Sequence, residues 1–564
     1  MIENTYQGEA WRVNLRSPLS KKGTPSNVLS NLGAGQTLLE ALQSGKFVLV
    51  TTSGQEWLER LDTVVTGQGF KLLQVDRFTV AASRAAGQLA TSEQKLILLL
   101  SKNPKQAIEQ ARTLGYNAIG LTPTCETGIS IDGIHFDLNI EYAPVGTSEA
   151  ALQRLARDRN NSTPRIVFAT DRAADYRADI NSDPDRILKS WRLNARQGFN
   201  AAQVAESLTP DETTALSTNA DDLLRILSTY AARDLARSNL DKAALNQNVE
   251  AQLTAAGHQV ERDVMEISPA FRELWKSAKA TIADRNYQAF AAAAVTNPDK
   301  AHETLRAGSG TREQIYSAQK TLTLESYPGL DLDNPDLVGR LIFDRRGAAL
   351  AAYTQAWMLK NPAVAQQIDR ACWKGQLGRG IVWAPSLKRE ALKVQTLVDT
   401  GILEVLAIEE YSEDTPEVQT LRSRCIQNRY HLRRVCGYAA AFDESHSGIE
   451  MVGWILRRLG HKQAVSRKVG GRGEQVRYYK AVDQNPDDRA LVESALAVKW
   501  ESVEPIQSGN SAIGSHDFSV LKPDRKIVTT GICNGVENIE FETETYEYEY
   551  IYVPEESTEW GISA

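Results

Sequence analysis

Cysteine is scarce in this 564-residue chain, and the five present, Cys125, Cys372, Cys425, Cys436 and Cys533, form no CxxC pair. That scatter excludes a disulfide framework and a zinc ribbon. Cys425, His431, Cys436 and His446 are the nearest thing to a ligand set, but the paired close spacing of a structural zinc site is missing, so no metal is expected. No apolar run approaches the roughly 18 to 20 residues of a membrane span. Residues 1–32 are polar and mixed in charge, without the apolar segment of a secretory signal, and predict an irregular arm. A cytoplasmic chain with no membrane partner is the expectation. Also absent is GxxxxGK[ST], the loop whose backbone amides and lysine cradle nucleotide phosphates. "NLGAGQT" at 31–37 and "LRAGSGTREQ" at 305–314 lack the lysine, and Gly45-Lys46 runs into a strand. Asp443 and Glu444 after "GYAAAF" imitate a magnesium-binding acid pair, but the alanine-rich run reads as helix.

What is present is an ordinary globular composition, 42% apolar and 24% charged, in a chain long enough for three or four domains at about 150 residues each. The net charge of −7 conceals an asymmetry. Between Arg457 and Lys480 stand Arg457, Arg458, Lys462, Arg467, Lys468, Arg472, Arg477 and Lys480 against Glu474 alone. From Ile527 onward there is no lysine or arginine, while Glu537, Glu540, Glu542, Glu544, Glu547, Glu549, Glu555, Glu556 and Glu559 accumulate. A basic module followed by an acidic tail is the consequence, and whole-chain charge describes neither.

Hydrophobic periodicity divides the rest. Strands are predicted at 47–51, 71–75, 94–100, 117–121, 136–142 and 165–168, with helices at 36–46, 56–66 and 104–114 and an arginine-rich helix before the last strand. Strands alternating with helices predict a RecA-like α/β domain with a parallel sheet over 33–172. A mainly α-helical, alanine-rich region is expected over 173–384, a winged-helix-like module over 385–483 and an acidic β-rich tail over 484–564.

Three segments of the first domain carry candidate chemistry. "FVLVTTSGQEWLERL" ends a strand in Thr51, Thr52 and Ser53 before a helix. "GLTPTCETGISIDGIHFD" places Gly128, Ser130 and Asp132 in a turn, where amides and a hydroxyl can meet a phosphate. "ALQRLARDR" sets Gln153, Arg154, Arg157 and Arg159 just ahead of a strand. These arginines are either a solvated helix face or cations for a transferred phosphate.

In that order the segments resemble motifs IV, V and VI of the second RecA-like lobe of superfamily 2 helicases. The third is similar to the QxLGRVR variant of viral origin-binding helicases, with Ala156 in place of its glycine. More closely, "VTTSGQEWLERLDTVVTGQGFKLLQVD", "PTCETGISID" and "LQRLARDRNNSTPRIVFA" resemble the helicase portion of cyanobacterial-type plasmid replication proteins, and the similarity runs through "LNQNVEAQLTAAGHQV" to "GGRGEQVRYYKA", roughly residues 30–485. The resemblance implies arginine-finger roles for Arg157 and Arg159, with Gln153 at the head of the motif. It also implies that Gly128, Ser130 and Asp132 couple nucleotide to DNA. It leaves the P-loop lobe and a primase-like region outside this sequence. ATP and Mg2+ are then expected only with a P-loop-bearing first lobe on another chain or upstream frame, and this chain alone is expected to be inactive. The implied function is the C-terminal half of a plasmid replication helicase. The alternative is a noncatalytic DNA-binding replication initiator that keeps an inactive RecA-like lobe.

Toward the end, "GIEMVGWILRRL" reads as an amphipathic helix, and "QAVSRKV" and "EQVRYYKAV" as two strands joined by a glycine turn. Arg467, Lys468, Arg472 and Arg477 are the candidate DNA contacts, the other reading being a basic hairpin that packs on the protein. "NIEFETETYEYEYIYV" alternates as a strand would, with the apolar phase switching near Thr545 at a bulge or turn, and its glutamates are read as keeping an edge strand soluble, the other reading being competition with DNA for the basic face.

Overall fold

A computed structural model describes residues 10–19, 29–123, 129–133, 135–176, 183–188, 229–377, 389–438, 440, 442–469 and 475–501. Gly128, Arg472 and the whole acidic tail beyond Glu501 lie outside the described residues. Its centre is a seven-stranded sheet in the order β3-β4-β2-β5-β6-β1-β7, every pair parallel. The strands are β1 (Arg12–Pro18), β2 (Val48–Thr52), β3 (Leu72–Val75), β4 (Ala118–Leu121), β5 (Leu138–Ala143), β6 (Arg165–Ala169) and β7 (Gln259–Met265). The fully buried runs VLVTT and LNIEYA fit the centre of such a sheet, because helices cover both of its faces.

On one face lie α1 (Ser30–Gln43), α2 (Gln55–Gly67) and α8 (Pro269–Ala291), packing Leu38, Leu58, Leu61, Phe271 and Trp275 against Val48, Val50 and Ile140. Gly120 allows the close approach of α2, since a Cβ there would meet a Leu58 methyl at 2.5 Å. The opposite face takes α4 (Ser92–Lys102) and α5 (Pro104–Thr113) on Leu49 and Ile119, with Ile129, Ile131 and Phe136 of the following loop in the same core. Beside them α6 (Ser148–Leu155) and α7 (Leu245–Ala255) cover β1 and β6. The short helix α3 (Arg77–Ala86) starts at an Asp76 capping box.

Several expectations are corrected. The apolar run 94–100 is not a strand but the interior of α4: Thr91 and Gln94 form a capping box, and Leu96, Ile97 and Leu100 fall on one helical face. The arm over 1–32 is not irregular throughout, because Trp11, Val13 and Leu15 alternate into the core and draw Arg12–Pro18 into the sheet between β6 and β7. Nor does the sheet end at 172, since β7 forms its edge from residues 259–265. Glu261, Arg262 and Asp263 blunt that edge with charge. Gly437, Tyr438, Ala440 and Phe442 are not helical, and Phe442 sits at φ 51°.

From Phe290 to Leu496 a single core is shared by the helices Arg312–Ser326, Ala348–Lys360, Glu390–Asp399, Pro416–Gln427, Gly448–Arg458 and Pro486–Trp500. The boundaries expected at 384/385 and 483/484 therefore do not separate cores. The last helix among the described residues starts at Pro486, capped by Asn485, and its buried Val492, Ala495 and Leu496 fall in residues assigned to the acidic tail. The helical unit is tied to the sheet unit through buried Glu59 of α2, which accepts Arg285 Nη2 of α8 at 2.7 Å and also pairs with Arg312.

Candidate functional site

Thr147 caps α6 by accepting from the Ala150 amide, and the helix buries Ser148, Ala151, Arg154 and Leu155 along one stripe. Arg154 thus points inward, and its Nε donates to Glu141 Oε1 of β5 at 2.8 Å. Glu141 is fully buried; desolvation raises its pKa, and Arg154 pulls it back. Gln153, one position earlier, is exposed.

After α6 the chain turns back toward β6 and meets the loop that precedes β5. Ile131 and Asp158 form a parallel bridge, with the Ile131 amide donating to the Arg157 carbonyl at 2.9 Å and the Arg159 amide to the Ile131 carbonyl at 2.9 Å. The segments holding Ser130 and Asp132 and holding Arg157 and Arg159, expected from sequence to act together, are therefore joined by their backbones. Their side chains divide. Arg157 is half-buried and its Nη1 donates to the Ile129 carbonyl at 3.0 Å. Arg159 is 61% exposed and lies 3.7 Å from an Asp132 oxygen that is itself largely in solvent. Ser130 Oγ is buried without a hydrogen-bond partner among the described residues.

Arg165, which starts β6, is almost completely buried and holds the turn in shape. Its Nη1 donates to the Thr163 carbonyl at 2.8 Å, and its Nη2 to those of Asp158 at 2.8 Å and Asn160 at 3.0 Å. The guanidinium lies 4.3 Å from the centre of the Trp11 ring, whose other neighbour is His258, stacked at 4.2 Å. Trp11 fastens the same turn through Nε1 to Asn161 Oδ1 at 2.9 Å.

Arg154, Glu141 and Arg165 were missed as a set by sequence reasoning. A signal existed for the first two: Arg154 shares the i, i+3, i+4 stripe of Ala151 and Leu155, and a glutamate inside a strand buried on both faces requires a cation. At the topological switch between β2 and β5, where ligands of open α/β sheets commonly bind, Ser53 Oγ donates to the Val145 carbonyl at 3.1 Å and links the two carboxyl ends.

The second candidate is the hairpin of β8 (His461–Val469) and β9 (Val476–Asp483), antiparallel with a register shift between Val465 and Arg467. Tyr411 pairs with Tyr479 through both backbone bonds, at 2.9 and 2.7 Å, and adds a one-residue third strand to β9. Lys468 and Arg477 are directly opposite and exposed. Arg467 lies on the other face, 4.3 Å over the Tyr478 ring, with its Nε donating to Glu410 Oε2 at 2.7 Å. Glu410 was not foreseen; it partly neutralises one of the four expected DNA contacts.

The sequence has no phosphate-cradling loop, and among the described residues no three His, Cys, Asp or Glu side chains gather as a metal site. No protein-family model matches the chain, and no curated protein matches it significantly. Among the described residues no helix is long and apolar enough to cross a membrane.

Proposed function

We propose that this chain is the C-terminal half of a plasmid replication helicase, bringing the arginine segment and a DNA-binding hairpin to a nucleotide held by a P-loop lobe on another chain or upstream frame. The observation that carries the reading is the Ile131–Asp158 bridge, which holds the Asp132 segment against the Arg157–Arg159 segment and leaves Arg159 in solvent. A cation so placed suits the charge that develops on a transferred phosphoryl group. The parallel α/β sheet is compatible with a RecA-like lobe. The helix Gly448–Arg458, the hairpin behind it and the Tyr411 bridge support a winged-helix-like module. In that module Lys468 and Arg477 meet DNA phosphates, with little sequence preference of their own.

A second reading, a noncatalytic DNA-binding initiator with an inactive lobe, is favoured by the bond of Arg157 to its own backbone at Ile129. Hydrolysis assays separate the two. The purified chain alone shows no DNA-stimulated turnover on either reading, and turnover that responds to mutation of this chain refutes both. With the P-loop-bearing lobe supplied, the helicase reading expects turnover that Arg159→Ala lowers by about 10³-fold or more while nucleotide binding persists. Equal turnover with and without this chain leaves the initiator.

A further inference from the structure

The function proposed above leaves the charge asymmetry of the chain unexplained. The described hairpin strands carry Lys462, Arg467, Lys468, Arg477 and Lys480, against Asp483, which is already paired with Arg489. The register places Lys462, Arg467 and Lys480 on one face: Lys462 is opposite Val482, Ala464 opposite Lys480 and Arg467 opposite Tyr478. This face already binds a carboxylate of its own chain, since Glu410 sits on Arg467 at 2.7 Å. Its chemistry therefore suits side-chain carboxylates as well as phosphates.

We infer that the glutamate-rich segment 537–559 of the same chain docks on this basic hairpin face. Three observations select it as occupant. It holds nine glutamates, Glu537, Glu540, Glu542, Glu544, Glu547, Glu549, Glu555, Glu556 and Glu559, and from Ile527 onward there is no basic residue to oppose them. Within it Glu540, Glu542 and Glu544 recur at the two-residue spacing of cations on one strand face, before the phase shifts by one at Thr545. The described chain ends at Glu501, one helix after β9, and residues 502–536 reach up to about 120 Å when extended, far more than the return requires. The docked segment occupies Arg467, one of the four candidate DNA contacts, and leaves Lys468 and Arg477 on the opposite face. That consequence rests on the DNA-binding reading; the docking does not.

The first arm of the test needs no DNA. Zero-length carbodiimide coupling of lysine to carboxylate in the full chain, read by mass spectrometry, is expected to join Lys462 or Lys480 to tail glutamates in excess over Lys468 on the opposite face and over the exposed Lys105 and Lys279 of the sheet unit. These cross-links disappear at about 0.5 M salt, where the Debye length falls to about 4 Å. Cross-links spread evenly over all exposed lysines, or none from the tail, overturn the docking. The second arm titrates DNA into the full chain with Glu→Gln changes at Glu537, Glu540, Glu542, Glu544, Glu547 and Glu549. With titrations at several salt concentrations, the salt slope is expected to steepen by no more than about one phosphate contact, since only Arg467 is uncovered; steepening by about two contacts or more would place the segment over Lys468 and Arg477 and overturn the assigned face.

Discussion

In the sheet unit Arg154, Arg157 and Arg165 direct their guanidiniums to Glu141, to the Ile129 carbonyl and to three carbonyls of the turn before β6, whereas in the hairpin Lys468 and Arg477 stand side by side on exposed strand positions. Both regions are rich in basic residues in sequence, and their charge density does not tell them apart. Burial does. A guanidinium taken out of water must find acceptors in its own fold, so the buried arginines shape the segment that carries Arg159, while exposed cations retain their charge for a partner. Arg159 and Arg467 are intermediate cases: each is exposed and each faces one carboxylate, Asp132 and Glu410 respectively.

The largest test of this contrast is removal of Glu141. Glu141→Ala leaves Arg154 buried without its acid, and a loss of about 3 to 5 kcal/mol is expected in denaturant unfolding of the sheet unit. Lys468→Ala should stay within about 0.5 kcal/mol of wild type in the same assay. Equal effects would erase the distinction between the two regions.

Protonation adds a further test, because Asp369 of the helical unit and His258 of the sheet unit respond to pH with opposite sign. Asp369 accepts the Glu390 and Ala391 amides at 2.9 Å each, and burial raises its pKa from 3.8 to about 6. A raised carboxyl pKa stabilises the fold below 3.8, and that stabilisation is lost as pH rises through about 6. By linkage this is worth about 3 kcal/mol. Hydrogen exchange of the helix Glu390–Asp399 should quicken over that range, and Asp369→Asn should remove the dependence. His258 accepts the Trp11 amide at Nδ1 at 3.1 Å, and burial, then Arg165, hold its pKa below the usual 6.5. Stability from this group is complete above 6.5 and is lost as pH falls through the lowered folded pKa. Protection of β1 should decline on acidification in wild type but not in His258→Phe; identical acid profiles would remove the imidazole from the account.

A smaller difference separates the two candidate arginines. Arg157→Ala removes the bond to the Ile129 carbonyl and should cost about 1 to 2 kcal/mol, against less than about 0.5 for exposed Arg159→Ala. Thermal unfolding of the two variants checks this, and a reversed order would mean that Arg157 does not hold the loop.

Much of the sheet was legible in sequence because its strands are apolar on both faces and its helices repeat with the right period; five of the six predicted strands, β2 to β6, are present within a few residues. The run 94–100 misled because a short apolar stretch does not reveal its period unless the capping pair Thr91 and Gln94 is weighed with it. β1 and β7 were hidden because edge and near-edge strands carry charge, and because their place depends on partners up to about 250 residues away. At the site, order along the chain brought the Asp132 and Arg157–Arg159 segments together correctly, while the inward turn of Arg154 and the acid on Arg467 depended on helix rotation and strand register. The hairpin strands were placed by alternation around a glycine turn.

The central claim, that the hairpin cations act on DNA while the buried sheet arginines act on their own fold, is tested most directly by the salt dependence of duplex DNA binding. Each phosphate contact contributes about −0.9 to the slope of log affinity against log salt, so the double variant Lys468→Ala, Arg477→Ala should flatten the slope by about 1.8. Arg467→Ala should flatten it by less than one contact, since Glu410 already holds that guanidinium. A double variant with the slope and affinity of wild type would contradict the account and leave the hairpin as scaffold.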